Sequence, residues 1–229
     1  MTNKKAVKRN KPLVAQRKGP STGMIVGIVV VLLFAAAVGF GLYKTQQGGQ
    51  ASTPPGATAS GISVGQDNAK ATVDIFLDFQ CPVCKQYEAQ VGPTVDKLVA
   101  AGTAKVVYHP MAFLDRASSS QYSTRSSAAA GCVAGSGVFP RYAKLLYANQ
   151  PEEGGSGLPD SQLVDLAKQA GAPADVAGCI TGRTYAKWTA ALTDQASKEG
   201  VNATPTVKVN GKQVDNTSAA LEQAVQAAQ

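Results

Sequence analysis

A C-x-x-C pair between a strand-like run and a helix-like run constrains the fold of this chain more than any other sequence feature. The β-branched and aromatic residues at 71–79 predict a strand. After the cysteines, apolar side chains repeat at helical spacing until a glycine at position 102 ends the predicted helix: Tyr87, Val91, Val95, Leu98 and Val99. We therefore expect Cys81 at the start of a helix and Cys84 one turn further along it.

The expected position of Cys81 favours a reactive thiol. Free backbone N–H groups and the macrodipole at a helix N-terminus stabilise negative charge. Pro82 fits the first helical position, because its missing N–H would have no partner there anyway. In such places the pKa of a cysteine falls from about 8.5 to roughly 3.5–7.5. Cys84 lies close enough to form a disulfide with Cys81, so the pair is predicted to be a redox-active dithiol.

The net charge of +7 does not indicate a nucleic-acid-binding protein. Seven basic side chains and no acidic one lie in residues 1–23, which leaves 15 basic and 15 acidic groups in the remaining 206 residues. A nucleic-acid-binding protein carries its positive charge on the folded surface. We therefore expect no nucleic-acid partner.

The stretch from Met24 to Tyr43 predicts a transmembrane helix. Its 20 residues carry no charge, and as a helix they reach roughly 30 Å, the thickness of a bilayer core. The basic tail at 1–23 orients the N-terminus to the cytoplasm. We expect a single-pass protein of the cell membrane with residues 61–229 outside the cytoplasm. The alternative is a signal peptide cleaved near Ala57-Thr58-Ala59, although the apolar stretch exceeds the usual signal core of about 7–15 residues.

The rest of the chain divides into a strand-containing frame and a helical insertion. Residues 44–60 are rich in Gly, Pro, Ser, Thr and Gln and predict a flexible linker. A second strand is predicted at 104–109, and the Asn-Gly turn at 210–211 joins two short strands before a closing helix. Pro93 predicts a kink or a break in the first helix. The predicted domains are a first part of the frame at 61–114, a mostly helical insertion at 115–195 and a second part of the frame at 196–229.

The cysteine and histidine content argues against a metal site. Four cysteines allow three disulfide pairings. A zinc site made from all four needs close ligand pairs or supporting histidines. Cys132 and Cys179 lie 47 residues apart, and the chain has one histidine. We expect neither a metal nor another cofactor.

Two motifs resemble the DsbA-like branch of the thioredoxin superfamily, in particular the membrane-anchored thiol-disulfide oxidoreductases of Gram-positive and actinobacterial organisms. They are residues 78–84 (DFQCPVC) and residues 200–206 (GVNATPT), the second followed by a strand and an Asn-Gly hairpin. The resemblance covers about residues 62–229. It implies an α/β thioredoxin fold with a helical domain inserted after the second strand.

The resemblance also implies roles for the residues around the dithiol. Cys81 would be the nucleophile and Cys84 the resolving thiol. The residues that shape the site and face the substrate would be Pro82, Val83, Thr204 and a cis Pro205, beside which an extended substrate segment pairs. Some relatives carry a second disulfide in the insertion, which assigns a structural bridge to Cys132 and Cys179. Two unpaired buried cysteines remain the alternative.

Some positions depart from the family pattern. Many relatives carry a buried acid six residues before the first cysteine, and this chain has Ile75 there. The neighbouring Asp74 faces the other side of the strand, and Asp78 is either a weak substitute or a surface residue. Val83 replaces a histidine that often stabilises the first thiolate, so we expect a less oxidising disulfide than in the strongest oxidants. We interpret His109 as structural.

These features together predict an enzyme that oxidises exported proteins. It would donate the Cys81–Cys84 disulfide to substrates with free cysteines, through a mixed disulfide at Cys81. A quinone-linked membrane partner would reoxidise it, and we expect a monomer. One alternative is a reductase or isomerase of the same fold. Another is a non-redox binding module, in which the bridge would be structural and its reduction potential below about −300 mV.

Overall fold

The computed structural model describes residues 22–46 and 51–229, which fall into two compact units divided after residue 50. The described part of the first unit is the helix α1 (Thr22–Gln46). Its side chains are described for residues 23–39, and the large aliphatic ones are exposed. Among the described residues, no helix combines the length and the apolar character that crossing a membrane requires. The predicted basic tail lies outside the described residues, except for its last two positions.

The second unit is built on a five-stranded sheet with the order β1-β3-β2-β4-β5. The strands are β1 (Ile62–Val64), β2 (Ala71–Leu77), β3 (Ala104–Pro110), β4 (Thr206–Val209) and β5 (Lys212–Val214). The central strand β2 runs parallel to β3 and antiparallel to β4. Ile75 on β2 belongs to the main apolar core, whereas Phe76 packs with Met111 and Ala196 in a second cluster. Both faces of β2 are therefore covered, and its last residues are buried.

Seven helices accompany the sheet in the described part of the second unit. They are α2 (Pro82–Ala100), α3 (Tyr122–Val133), α4 (Phe139–Ala148), α5 (Asp160–Ala170), α6 (Val176–Thr181), α7 (Ala186–Lys198) and α8 (Ser218–Gln226). The helix α2 continues through Pro93, so the predicted break is absent. Ala89 and Pro93 are both exposed, and the Ala89 carbonyl that a proline leaves without a helical N–H partner can bond to water there.

The segment between β3 and β4 is mostly helical, as predicted, and α7 ends at Lys198, three residues beyond the predicted boundary. It does not form a separately packed domain. Phe139 and Trp188 from this segment join the same continuous core as Ile75 from the sheet. The Phe139 ring lies 5.0 Å from the ring of Tyr108 on β3. The insertion and the sheet therefore depend on one another for burial of apolar surface.

The structure differs from the predicted linker at 44–60. The first three of these residues complete α1, and 47–50 lie outside the described residues. Residues 51–60 belong to the second unit, where Pro54 is buried and the indole N–H of Trp188 donates to the carbonyl oxygen of Thr58 at 3.0 Å. A buried tryptophan needs such an acceptor. Composition alone does not reveal this contact, because the partner lies 130 residues away in the chain.

A disulfide joins Cys132 at the end of α3 to Cys179 in α6. The bonded residues are separated by 47 positions. In the chain-entropy model, closing a loop of this length restricts the unfolded chain and stabilises the fold by about 4 kcal/mol. The bridge therefore fastens two helices of the insertion and lies apart in sequence from the C-x-x-C pair.

Candidate active site

Cys81 lies at the junction where β2 ends and α2 begins. It is the N-cap residue of α2, with an extended backbone, and Pro82 occupies the first helical position. The Cys81 N–H donates to the carbonyl of Asp78 at 3.0 Å, and the Cys81 carbonyl accepts from the Lys85 N–H at 3.2 Å. The chain thus makes a tight turn before the helix, and the turn presents the sulfur of Cys81 at the helix N-terminus.

The two thiols of the C-x-x-C pair are free and differ in exposure. Cys81 is 7% exposed and Cys84 is 2% exposed. Beside them Pro82 is exposed, and Val83 is 54% exposed. Both thiols are therefore largely buried, and Cys81 is the more exposed of the two and lies next to the exposed Pro82 and Val83.

The segment before β4 faces the dithiol. The peptide bond between Thr204 and Pro205 is cis. In its protonated form the Cys81 thiol donates to the backbone carbonyl of Thr204, with 3.4 Å between sulfur and oxygen. The side-chain amide of Asn216 donates to the carbonyl of Pro205 at 2.9 Å and fixes this segment. The structure thus brings together Cys81, Thr204 and Pro205, which lie more than 120 residues apart in the sequence.

The environment separates the acidities of the two thiols. A hydrogen bond from the Cys84 thiol, with further bonds from the backbone N–H groups of Cys84 and Val83, lowers the pKa of Cys81 to about 6 against the opposing effect of burial. Burial raises the pKa of Cys84 far above its ordinary range, and the neighbouring Cys81 adds to this effect. At neutral pH, Cys81 is therefore the thiolate and Cys84 the thiol.

Asp78 is fully buried beneath the dithiol, so the interpretation as a surface residue is wrong. Its carboxylate accepts hydrogen bonds from the backbone N–H of Gln80 at 2.9 Å, the hydroxyl of Ser123 at 2.7 Å and the backbone N–H of Leu114 at 3.0 Å. Burial raises the pKa of Asp78 to about 6, although these three bonds oppose the shift. The carboxylate connects the active-site turn to α3 and to the segment after β3.

Gln150, just after α4, is a residue of the site that the sequence motifs do not indicate. Its side-chain amide donates to the carbonyls of Phe79 and Cys81, both at 2.9 Å. One side chain of the insertion thus fixes the two backbone carbonyls that flank the turn. Gln150 lies 66 residues after Cys84 and belongs to no motif, so the sequence does not indicate this role.

The other candidate residues have different surroundings. Ile75, six residues before Cys81, is buried in the sheet. The His109 ring bonds to the Asp74 carboxylate at 3.0 Å and stacks on the Phe76 ring at 4.1 Å. These contacts fit a structural histidine. Among the residues that the structure describes, no group of three or more His, Cys, Asp or Glu side chains could hold a metal ion.

This fold and site match a known family. The model of a family described as thioredoxin matches residues 57–227, so the chain belongs to that family. The reduced form of the disulfide bond oxidoreductase DsbG from Mycobacterium tuberculosis is 37% identical, with a TM-score of 0.64, over 75% of this chain and 84% of that one. Oxidised DsbA from the same organism is 36% identical, with a TM-score of 0.62, over 75% of this chain and 89% of that one. These neighbours are thiol-disulfide oxidoreductases of the DsbA type.

A further relative has a different overall organisation. The serine/threonine-protein kinase PknE of Mycobacterium tuberculosis is 35% identical over 127 residues, which are 52% of this chain and 22% of the kinase. The chain thus spans about a fifth of the length of this curated relative. The match concerns a part of the kinase only.

We expect a low pKa for Cys81 that depends on the donor at position 84. Titration of the ultraviolet thiolate absorbance of the reduced protein should give a pKa of about 6. Replacing Cys84 with Ala removes the hydrogen bond from the thiol and should raise that pKa. Cys84→Ser keeps a hydroxyl donor and is the matched control, which should stay closer to the native value. An ordinary pKa of about 8.5 in the native protein would contradict the description of the site.

Proposed function

We propose that this chain is an extracytoplasmic thiol-disulfide oxidoreductase that donates the Cys81–Cys84 disulfide to exported proteins. The observation that carries the proposal is the asymmetry of the pair. One sulfur is acidic and lies beside Thr204, and the other is more deeply buried and protonated. Such asymmetry assigns the two sulfurs different roles in exchange, which a purely structural bridge does not need.

The reaction begins with attack on Cys81. A thiolate of the substrate attacks the Cys81 sulfur, the Cys81–Cys84 bond breaks, and its electron pair passes to the Cys84 sulfur, which takes up a proton. A second substrate thiolate then attacks the substrate sulfur of the mixed disulfide. Cys81 leaves as a thiolate, the substrate holds a new disulfide, and the enzyme is reduced by two electrons. A sulfur of low pKa is the better leaving group in this second step.

The low pKa of Cys81 also supports transfer of the disulfide from the enzyme to the substrate. Interactions that lower the pKa of Cys81 stabilise the reduced thiolate form relative to the disulfide, which makes the disulfide the better oxidant. Val83 supplies no imidazole to add to this effect, so the oxidising strength should lie between those of thioredoxin and the strongest family members. The backbone at Thr204, next to Cys81, is available to pair with an extended substrate segment.

The proposal includes a membrane anchor at residues 24–43. Support comes from the uncharged sequence of this stretch, the basic residues before it, and the exposed aliphatic side chains of α1. The basic residues orient the N-terminus to the cytoplasm and leave the dithiol on the other side. Attachment to the membrane would raise the effective concentration of the domain near a quinone-linked partner that reoxidises it.

The anchor can be tested by fractionation of cells that make the full chain. We expect the chain to stay with the membranes through an alkaline carbonate wash, because 20 uncharged residues remain in the bilayer core. A variant without residues 24–43 serves as the comparison and should move to the soluble fraction. Release of the full chain by carbonate would contradict the anchor.

Mixed disulfides provide the test of the exchange reaction. In cells, Cys84→Ser should accumulate covalent complexes with exported proteins. They form when the Cys81 thiolate attacks a substrate disulfide and displaces one of its sulfurs, and they persist because no Cys84 thiol is present to attack Cys81 and release the substrate. Cys81→Ser should form none, because it lacks the attacking and leaving sulfur. Gel electrophoresis with and without a reductant measures both. If Cys84→Ser forms no complexes and retains full turnover, the two-cysteine mechanism is wrong.

A further inference from the structure

An open groove runs between α2 and α4, close to the active-site turn. Six residues form most of its walls, three from each helix: Lys85, Ala89 and Pro93 on α2, and Lys144, Tyr147 and Ala148 on α4. The surface of this α2–α4 groove is mainly apolar, because two small side chains, a proline ring, the tyrosine ring and the aliphatic stems of two lysines make it up. All six residues except Tyr147 are exposed, so the groove is open to solvent.

The groove continues the face of α2 on which Cys81 lies. Cys81, Lys85, Ala89 and Pro93 follow one another at intervals of four residues, and residues four apart lie on the same face of a helix. At a rise of 1.5 Å per residue, Ala89 lies about 12 Å along the helix axis from Cys81. The groove therefore begins about one turn from the reactive sulfur and extends along one side of α2.

The insertion forms the other side of the groove and also contacts Cys81. Two residues after Ala148, the side-chain amide of Gln150 donates to the carbonyl of Cys81 at 2.9 Å. The carbonyl of Thr204 approaches the Cys81 sulfur from the segment before β4. Cys81 thus lies between the groove and the backbone at which we propose that a substrate segment pairs. One extended segment that passes the sulfur can contact both.

The apolar walls favour an unfolded partner. In folded proteins, cysteines and large apolar side chains are mostly buried, whereas a newly exported chain exposes both before its disulfides form. Burial of such a side chain in the groove stabilises the complex. A second copy of this chain fits poorly, because among the described residues 51–229 Val83 is the one large apolar side chain that is exposed.

The charges of the groove favour an acidic residue near the substrate cysteine. Lys144 forms an ion pair with Asp96. Lys85 is exposed and forms no ion pair with any residue that the structure describes. It lies at the end of the groove nearest to Cys81. A carboxylate of the substrate can therefore pair with Lys85 without displacing a partner of its own.

We propose that the α2–α4 groove binds the unfolded substrate segment that carries the reacting cysteine, with an apolar side chain of that segment over Ala89. The inference rests on the proposed function, because it concerns the substrate joined to Cys81 in the mixed disulfide. An extended chain advances about 3.3 Å per residue. The apolar side chain therefore lies about four residues from the substrate cysteine, and an acidic side chain facing Lys85 lies about two residues from it.

The stability of mixed disulfides with defined peptides tests this arrangement. Full-length Cys84→Ser protein in detergent is first converted to its glutathione mixed disulfide at Cys81. The thiolate of an unfolded peptide with one cysteine then attacks the Cys81 sulfur and releases glutathione as a thiolate, and mass spectrometry measures the equilibrium constant. A single leucine is moved along a series of Gly- and Ser-rich peptides, on either side of the cysteine. The constant should peak about 10-fold above that of the leucine-free peptide when the leucine lies about four residues from the cysteine on one side.

Variants in the same background show whether the groove causes this peak. Ala89→Gln fills the middle of the groove and should abolish the peak. Ala100→Gln is the matched control, because it makes the same exchange at an exposed position of α2 outside the groove, and it should keep the peak. The constant for the leucine-free peptide should be the same in both variants, since that peptide has no side chain to bury.

The charge at Lys85 has its own pair of variants. A peptide with aspartate two residues from the cysteine should bind better than the same peptide with lysine there, and high salt should reduce the difference. Lys85→Gln should remove this preference. Lys97→Gln removes an exposed lysine of α2 that does not line the groove and should keep it.

The possible outcomes separate the inference from the proposed function. No leucine peak with the native groove, or the same peak in Ala89→Gln, would overturn the inference and leave the proposed function intact. Two other occupants would also overturn it: a dimer that sedimentation shows to dissociate in Ala89→Gln, or a membrane partner whose reoxidation of the dithiol Ala89→Gln slows while peptide binding stays unchanged. If neither glutathione nor any peptide forms a mixed disulfide with Cys81, the proposed function fails and the inference fails with it.

Discussion

The site depends on one constraint, the position of a sulfur at the junction between a buried strand and the first turn of a helix. Because β2 ends at Leu77 and α2 begins at Pro82, only four residues connect the two elements. This short turn places Cys81 at the N-cap, where the thiol of Cys84 and the backbone N–H groups of Cys84 and Val83 lower its pKa. The same geometry turns Cys84 inward, so the difference between the two thiols follows from the backbone path.

The helical insertion supports this junction from several directions. Ser123 on α3 donates to the buried Asp78, and Gln150 after α4 donates to the carbonyls of Phe79 and Cys81. The ring of Tyr147 packs 5.3 Å from that of Phe79. Since the insertion and the sheet share one core, the disulfide between α3 and α6 stabilises the same body that fixes the active-site turn. The insertion is therefore part of the framework that holds the active-site turn in place.

The sequence patterns predicted those structural features that depend on residues close together in the chain. The strand before the cysteines, the helix N-terminus at Cys81 and the Asn-Gly hairpin each depend on a few neighbouring residues, and the structure contains all three. The resemblance to a known family supplied the cis bond before Pro205 and the pairing of Cys132 with Cys179. The structure has both, although local composition does not determine either.

The features that sequence analysis missed depend on distant contacts. The burial of Asp78 requires Leu114 and Ser123, and the role of Gln150 requires the path of the whole insertion. Residues 51–60 have the composition of a linker, yet they are fixed by Trp188 far along the chain. Such contacts appear only when the fold brings separate segments together. A polar residue that belongs to no motif, such as Gln150, therefore cannot be assigned to the site from the sequence.

The most direct test of disulfide donation is the reduction potential of the Cys81–Cys84 pair. The full chain in detergent would be equilibrated with glutathione buffers of known potential, and its reduced fraction would be measured by thiol alkylation. The account predicts a value above roughly −180 mV, in the range of disulfide donors. A value near −270 mV, that of thioredoxin, would contradict donation and indicate a reductase, and one below −300 mV would exclude redox catalysis by this pair.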